Sequence, residues 1–308
     1  MIDDTGTSVA RRVGDAELLA RCRFPQDPGR SPMLDCALSG GPDSSALVAL
    51  AIAAGYAVTA WHVNHGIRPE ADSDEEIARV VASDLGAHFR SERVIVEPGP
   101  HLEERAREAR YAVMPRDVCT GHTADDRAET VLLNIGRGGG LAGAATRFGL
   151  VHRPLLGLRR AETASLCDRL GLVVADDSMN HDTDHARVAI RRIVLPALAD
   201  ALGRDPVPLL VRHATLAGDA AEVIAALAAD VDPTDARALN AVPRAVSSEA
   251  VRRWLMNGSG SRTPPDAASV DRVLEVAAGR NIATEIEGGH RVSRSANRLR
   301  FEAAGVSS

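Results

Sequence analysis

Residues 33–54 read MLDCALSGGPDSSALVALAIAA. The apolar run Met33–Leu38 has the length and composition of a buried strand. Ser45–Ala54, rich in Ala, Leu and Val, reads as a helix that Gly55 ends in the C′ position. Between them stands Ser39-Gly40-Gly41-Pro42-Asp43-Ser44. Two glycines let the backbone come close to a ligand. Ser39 and Ser44 add hydroxyls, and the helix start aims free N–H groups into the same loop, which together make an anion cradle. Asp43 repels a bare phosphate, so its place there fits either Mg²⁺ held against phosphate oxygens or a pin for the loop. A tight turn with a helix cap accounts for isolated parts of the string; the six residues in strand–loop–helix order favour phosphate.

Outward from this segment, strand and helix signals alternate. Ala57–Val63, Arg90–Val96 and Val118–Thr120 read as strands. Ala16–Cys22, Glu70–Gly86, Leu102–Met114 and Asp126–Ile135 read as helices, the second opening on acidic residues that suit the positive end of its dipole. Such alternation predicts an α/β fold with a doubly wound parallel sheet, and ligand sites at the carboxyl ends of its strands. Beyond Asp205 the pattern changes. Pro206 and Pro208 break the chain, and 209–229, 246–257 and 267–278 read as helices, followed by short alternating segments around Gly288-Gly289. The expected division is a nucleotide domain over residues 1–205 and a smaller, mostly helical domain over 206–308.

Composition narrows the chemistry. The 308 residues include no lysine, so all 36 basic residues are arginine. That excludes a Walker-type loop, a kinase strand lysine and Schiff-base catalysis, each of which needs an amine. The formal charge of -6 leaves any RNA binding to local arginine patches. Cys22, Cys36, Cys119 and Cys167 form no CxxC pair, which argues against a zinc ribbon or thioredoxin motif. Cys36 and Cys119, in or beside strands, read as small hydrophobes. His88, His101 and His213 read as surface or core groups. No apolar run spans a membrane and no signal peptide is evident, so a cytoplasmic protein is expected.

Three further strings carry a resemblance. They are His62-Val63-Asn64-His65-Gly66-Ile67-Arg68, then Gly121-His122-Thr123-Ala124-Asp125-Asp126-Arg127-Ala128-Glu129-Thr130 with Arg137-Gly138-Gly139-Gly140-Leu141, then Arg153-Pro154-Leu155-Leu156 with Asp176–Asn180 and Leu195-Pro196. The SGGxDS loop resembles that of the PP-loop ATP pyrophosphatases, and the ordered set resembles the tRNA(Ile)-lysidine synthases, in a short form without an extra C-terminal domain. The resemblance implies that ATP activates C2 of the wobble cytidine of an isoleucine tRNA with a CAU anticodon. Free lysine then attacks, releasing AMP. It implies Mg²⁺ on Asp43 and a catalytic set of Asp43, Asp126, Asp125, Arg110 and Arg187. Ser39, Gly40, Gly41, Pro42, Ser44, His62 and His122 would surround ATP. Arg137, Arg191 and Arg192 would face tRNA.

Glu129, three residues after Asp126, shares its helical face. Asp125 and Asp126 equally suit helix capping, and His62, Asn64 and His65 equally suit a turn. Arg187 and Arg191 form an acid-free stripe within their own segment. Arg291, Arg294, Arg298 and Arg300 form a second stripe suited to an RNA backbone or to solvent. Two places depart from the family pattern: a shortened Tyr111–His122 stretch containing Pro115, and Val188 where Asn is common. The alternatives are another PP-loop tRNA-modifying or amidating enzyme, or a non-catalytic nucleotide- or RNA-binding paralogue. No CxxC supports a thiolase. The oligomeric state stays open, a homodimer included.

Overall fold

The computed structural model describes residues 9, 12–25, 32–64, 66, 71–95, 99, 102–141, 151–175, 185–260 and 264–304. His65, His101, the stretch 67–70 and the Asp176–Asn180 motif lie outside them. The chain divides into two compact units, Met1–Thr215 and Leu216–Ser308.

The first unit holds α1 (Ala16–Arg21), β1 (Met33–Ala37), α2 (Pro42–Ala53), β2 (Ala57–Asn64), α3 (Ala71–Leu85), β3 (His88–Arg93), α4 (Leu102–Val113), α5 (Ala124–Gly136), α6 (Arg160–Leu170) and α7 (His185–Ala189). A π-helical turn (Ile190–Val194) and α8 (Leu195–Leu202) follow. β1, β2 and β3 pair in parallel, with β2 between the other two. On the free edge of β1 the ladder continues through two single-residue parallel bridges, Cys36 to Cys119 and Cys119 to His152. Backbone bonds fix them: Cys119 N donates to Asp35 O at 2.8 Å, and Thr120 N to His152 O at 2.9 Å. The chain therefore winds outward from β1 in both directions. The loops after β1 and after Cys119 leave side by side, at the crevice where such sheets bind ligands.

Hydrophobic burial explains the helices around this sheet. In α2 every residue from Ser44 to Ile52 is buried. A helix apolar all round belongs in a core, and Ala, Leu and Val fill this one without an amphipathic stripe. α3 buries only Ala78, Val81, Ala82 and Leu85, the i, i+3, i+4, i+7 face of a surface helix.

Several expected boundaries move, among them that of β3, which spans His88–Arg93 rather than Arg90–Val96. α2 begins at Pro42 rather than Ser45, because Gly41 is the N-cap and proline's fixed φ suits the first helical position. α5 begins at Ala124 rather than Asp126, because Thr123 caps it. The expected strand Val118–Thr120 contracts to the Cys119 bridge, and Pro115–Val118 turns into it. α6 was not anticipated. The widened turn at Ile190–Val194 precedes Pro196, which lacks the N–H an α-turn needs and whose ring would strike the Arg192 carbonyl; Leu195 N instead bonds Ile190 O.

α9 (Val207–Ala229) crosses the division between the units. The second unit continues with α10 (Ala236–Ala241), α11 (Arg244–Ser259), α12 (Ala267–Ala277) and an antiparallel sheet β4 (Ala283–Ile286), β5 (His290–Ser295), β6 (Arg298–Glu302). Val251, Leu255, Val273, Val276, Val292 and Leu299 form its core. No described helix is long and apolar enough to cross a membrane.

Leu50 is 0% exposed and Ile95 is 88% exposed. Leu50→Ala is expected to cost about 3 kcal/mol through lost burial and a cavity. Ile95→Ala is expected to stay within about 0.5 kcal/mol. Urea unfolding of both variants checks the contrast.

Candidate active site

The loop after β1 is closed by its own hydroxyls. Ser39 N donates to Ser44 Oγ at 3.1 Å, Ser44 Oγ donates to Gly41 O at 2.9 Å, and Ser45 Oγ donates to the same carbonyl at 2.9 Å. Ser44 is thereby buried, while Ser39 stays exposed with its Oγ 3.1 Å from that of Ser44. Gly40 needs its missing side chain twice over. Its φ is +92°, and a Cβ would lie 3.3 Å from the Asp74 carbonyl. His62 Nδ1 lies 2.9 Å from Leu38 O, just before the loop. Burial, together with the Arg110 charge, holds the imidazole below its ordinary pKa despite its bond to Leu38 and nearby Glu75 and Asp74.

The second loop, Thr120–Thr123, presses on the first. A Cβ on Gly121 would sit 2.6 Å from Asp43 O and 2.8 Å from Ser44 N, so only hydrogen fits between the two backbones. The loop ends in a capping box: Asp126 Oδ2 accepts from Thr123 N and Thr123 Oγ1, both at 2.8 Å. Its other oxygen, Oδ1, takes a hydrogen bond from Arg160 Nη2 at 2.6 Å. Asp126 thus caps α5 with one oxygen and meets Arg160 with the other.

Arg160 joins the loops. Its Nε lies 3.4 Å from Asp43 Oδ2 and its Nη1 lies 3.1 Å from Glu129 Oε1. Glu129 is fully buried and also accepts from Arg191 Nε at 2.8 Å. Asp125 accepts from Arg159 Nη2 at 2.9 Å and from Arg160 N at 2.8 Å, tying α5 to the start of α6. Thr163 Oγ1 donates to Asp43, and Arg159 also meets Asp205. The first turns of α2, α5 and α6 therefore converge, and three positive dipole ends face one place.

Electrostatics separates the carboxylates. Burial pushes Asp43 up to about 6; the Asp126 charge adds to this, while Thr163 and Arg160 oppose it. Burial also acts on Asp126, but Arg160, His122 and the Thr123 bonds outweigh it and hold the group below its ordinary value. Asp125 is likewise held low, with the Arg159 and Arg160 bonds overcoming burial. His122 anchors through Nδ1, 2.8 Å from Thr120 Oγ1.

Of the remaining expected residues, Arg110 is exposed at the end of α4, where its charge acts on His62. Arg187 is half-buried in α7, Arg192 is exposed in the π-turn, and Arg137 is exposed at the end of α5. The stripe of Arg187 and Arg191 carries no acid in its own segment, yet Glu129 of α5 supplies one to Arg191. In the second unit, Arg294 Nη1 donates to Ala277 O at 2.8 Å at the end of α12, and Arg298 pairs with Asp232 at 2.6 Å. Arg291 lies in register between Glu285 and Glu302, and Arg300 is exposed. Sequence reasoning missed Arg159, Arg160 and Thr163. A faint signal existed: two arginines opening a helix oppose the dipole, and such a placement calls for anions nearby.

Among the described residues, no group of three His, Cys, Asp or Glu side chains is arranged to hold a metal ion by itself. Mg²⁺ usually needs only one or two carboxylates beside substrate phosphates. Asp43, half-buried and near Asp126, fits that demand beside the phosphate cradle.

This strand order, glycine-serine loop and carboxylate set define a PP-loop nucleotide-binding protein, and the PP-loop domain family model matches residues 21–198. The chain is 41% identical over 255 residues to the tRNA(Ile)-lysidine synthase of Nocardia farcinica, covering 78% of this chain and 80% of the relative. It is 40% identical to that of Mycobacterium leprae, covering 73% and 75%. The chain belongs to the tRNA(Ile)-lysidine synthase family. The fold also matches the U34-tRNA thiolase NcsA from Methanococcus maripaludis, with a TM-score of 0.50 at 16% identity over 70% of this chain and 78% of that one.

Two predictions follow from the geometry. Gly121→Ala drives a methyl group into the Asp43 backbone and is expected to weaken nucleotide binding more than about ten-fold, a loss of about 1.4 kcal/mol, while circular dichroism stays native. Asp43 has a folded-state pKa of about 6 against an ordinary 3.8. Its proton is bound more tightly in the folded state, so the stability it contributes is full below pH about 4 and is lost as pH rises through about 6. Asp43→Asn is therefore expected to exceed the parent at pH 7.5 by up to about 3 kcal/mol, with the gap closing below pH 4. Denaturant unfolding across pH in EDTA measures it.

Proposed function

We propose that this chain is an ATP-dependent ligase joining lysine to C2 of the wobble cytidine, C34, of tRNA(Ile) with a CAU anticodon. One observation carries the reading. Asp43 and Asp126, from the first turns of the helices on either side of the switch point, meet at one guanidinium beside a phosphate cradle, in a chain of this family. Those are the parts the reaction asks for. The cytidine O2 is a poor leaving group. When it attacks the α-phosphate of ATP, the bond to the β-phosphate bridge breaks and pyrophosphate departs. The lysine ε-amine then adds to C2, loses a proton, and AMP leaves carrying the former O2.

The Ser39–Ser44 loop and the start of α2 would grip the phosphates through backbone N–H groups. Asp43 would hold Mg²⁺, which when bound neutralises phosphate charge. Asp126 and Glu129 supply negative charge to orient the incoming ammonium, and a carboxylate there would accept its proton. Arg110, Arg187 and Arg160 would meet phosphate charge. Arg137 and Arg192 are exposed and suit the tRNA backbone, with Arg191 beside them. In the second unit, Arg291 and Arg300 of the expected stripe are exposed and suit the same task. A cytoplasmic location follows from this substrate.

The test combines the protein, ATP, Mg²⁺, [¹⁴C]lysine and a tRNA(Ile) transcript with a CAU anticodon. Lysine incorporated into RNA with stoichiometric AMP is the expected result. AMP release that depends on a sulfur donor would favour a thiolase, and nucleotide binding without turnover an inert paralogue. Asp43→Ala is expected to lower AMP formation at least about a thousand-fold, the scale of losing a key electrostatic group, with the fold intact. Unchanged turnover would remove Asp43 from the chemistry.

A further inference from the structure

Arg160 divides itself in an unusual way. A guanidinium commonly grips one carboxylate with two parallel bonds. Here Nε faces Asp43 at 3.4 Å, Nη2 faces Asp126 at 2.6 Å and Nη1 faces Glu129 at 3.1 Å. Each nitrogen serves a different acid. The residue is also the first of α6, at the positive end of the dipole, where a cation is disfavoured. Its own helix does not hold it there; the carboxylates do. Within the cluster, Asp43, Asp125, Asp126 and Glu129 face Arg159, Arg160 and Arg191. Arg160 is the guanidinium shared most widely among these acids.

The proposed reaction brings two new charges. Nucleotide phosphates at Ser39–Ser44 place strong negative charge beside Asp43, within reach of the same guanidinium. The lysine ammonium needs carboxylates that Arg160 already occupies. Two cations in one small buried space repel strongly at low effective dielectric.

We propose that Arg160 is a resident stand-in for the substrate ammonium: it neutralises Asp43, Asp126 and Glu129 until nucleotide phosphates draw it away, and lysine then takes Asp126 and Glu129. This rests on the lysine-ligating reading of the site. It adds an order, nucleotide before amine, and a residue that enforces it. The two sites are then coupled through one side chain with two positions, which is the physical content of positive cooperativity.

Calorimetric titration of the full chain with lysine tests this, with and without Mg²⁺ and α,β-methylene-ATP, which resists cleavage between the α- and β-phosphates. The parent protein is expected to bind lysine at least about ten-fold more tightly with the nucleotide analogue, within the usual range of coupling. Arg160→Gln is expected to bind lysine equally well, within about two-fold, with or without it. Millimolar guanidinium chloride should restore the nucleotide requirement in Arg160→Gln by refilling the space, and should leave the parent unchanged. A merely structural role would not give that rescue. If Arg160→Gln fails to fold, Arg160→Lys keeps the charge on a group that spans fewer carboxylates, and its nucleotide dependence should fall between the two. A folded variant retaining the full parental dependence overturns the proposal, as does a parent that binds lysine equally in both conditions. Should the parent form lysidine while binding lysine without regard to nucleotide, only the stand-in role fails. A parent that forms none fails the functional reading itself.

Discussion

One guanidinium shared among three acids ties the site together. Asp43 belongs to the start of α2 after the β1 loop, Asp126 and Glu129 to the helix after the neighbouring ladder residue, and Arg160 to a helix that follows later in sequence. None of these elements is joined to another by a short connection. Their common point is the Arg160 side chain, reinforced where Gly121 meets the Asp43 backbone. Removing the guanidinium itself from such a buried arrangement typically costs about 3–5 kcal/mol, since the carboxylates it serves stay buried and unpaired. The network is therefore better understood as setting geometry than as adding stability.

The acids and the helix ends also answer one another. Three helix starts converge, and each carries carboxylates in its first turn: Asp43 on α2, Asp125 and Asp126 on α5, Glu162 on α6. Each gains from its own dipole. Glu162 is spent on the Arg159 backbone at 2.8 Å, and Asp125 on the paired arginines. Asp43 is the one whose surroundings leave its charge least compensated, as its raised pKa records. A group in that condition binds an added cation with the greatest gain, which suits the member closest to the phosphate cradle.

The sequence made some of this legible and hid the rest for identifiable reasons. The strand, loop and helix over 33–54 are local, so composition and glycine placement reveal them. Asp43, Asp125 and Asp126 stand at helix starts, where capping chemistry and motif spacing coincide. Cys119 and His152 extend the sheet through one residue each, too short for any periodicity. Arg160 is invisible because its meaning is tertiary: 117 residues separate it from Asp43. Likewise the Arg187–Arg191 stripe looks unopposed along the chain, while its counter-charge arrives from α5. Arg294 and Arg298 resemble an RNA-facing patch in sequence, but they close a helix end and an ion pair.

The absence of lysine has a consequence for how this site can be studied. Apart from the His122 imidazole, the positive groups described in the cluster are guanidiniums, and guanidinium does not lose its proton in proteins. The arginines of the site thus keep constant charge from acid to strongly alkaline solution. Titration between these limits comes from carboxylates, imidazoles, thiols and phenols of the chain, and from the amine of the substrate itself. Reagents that acylate amines will likewise find a single kind of target in the polypeptide, its α-amino terminus, so chemical labelling of bound lysine carries almost no background from the protein.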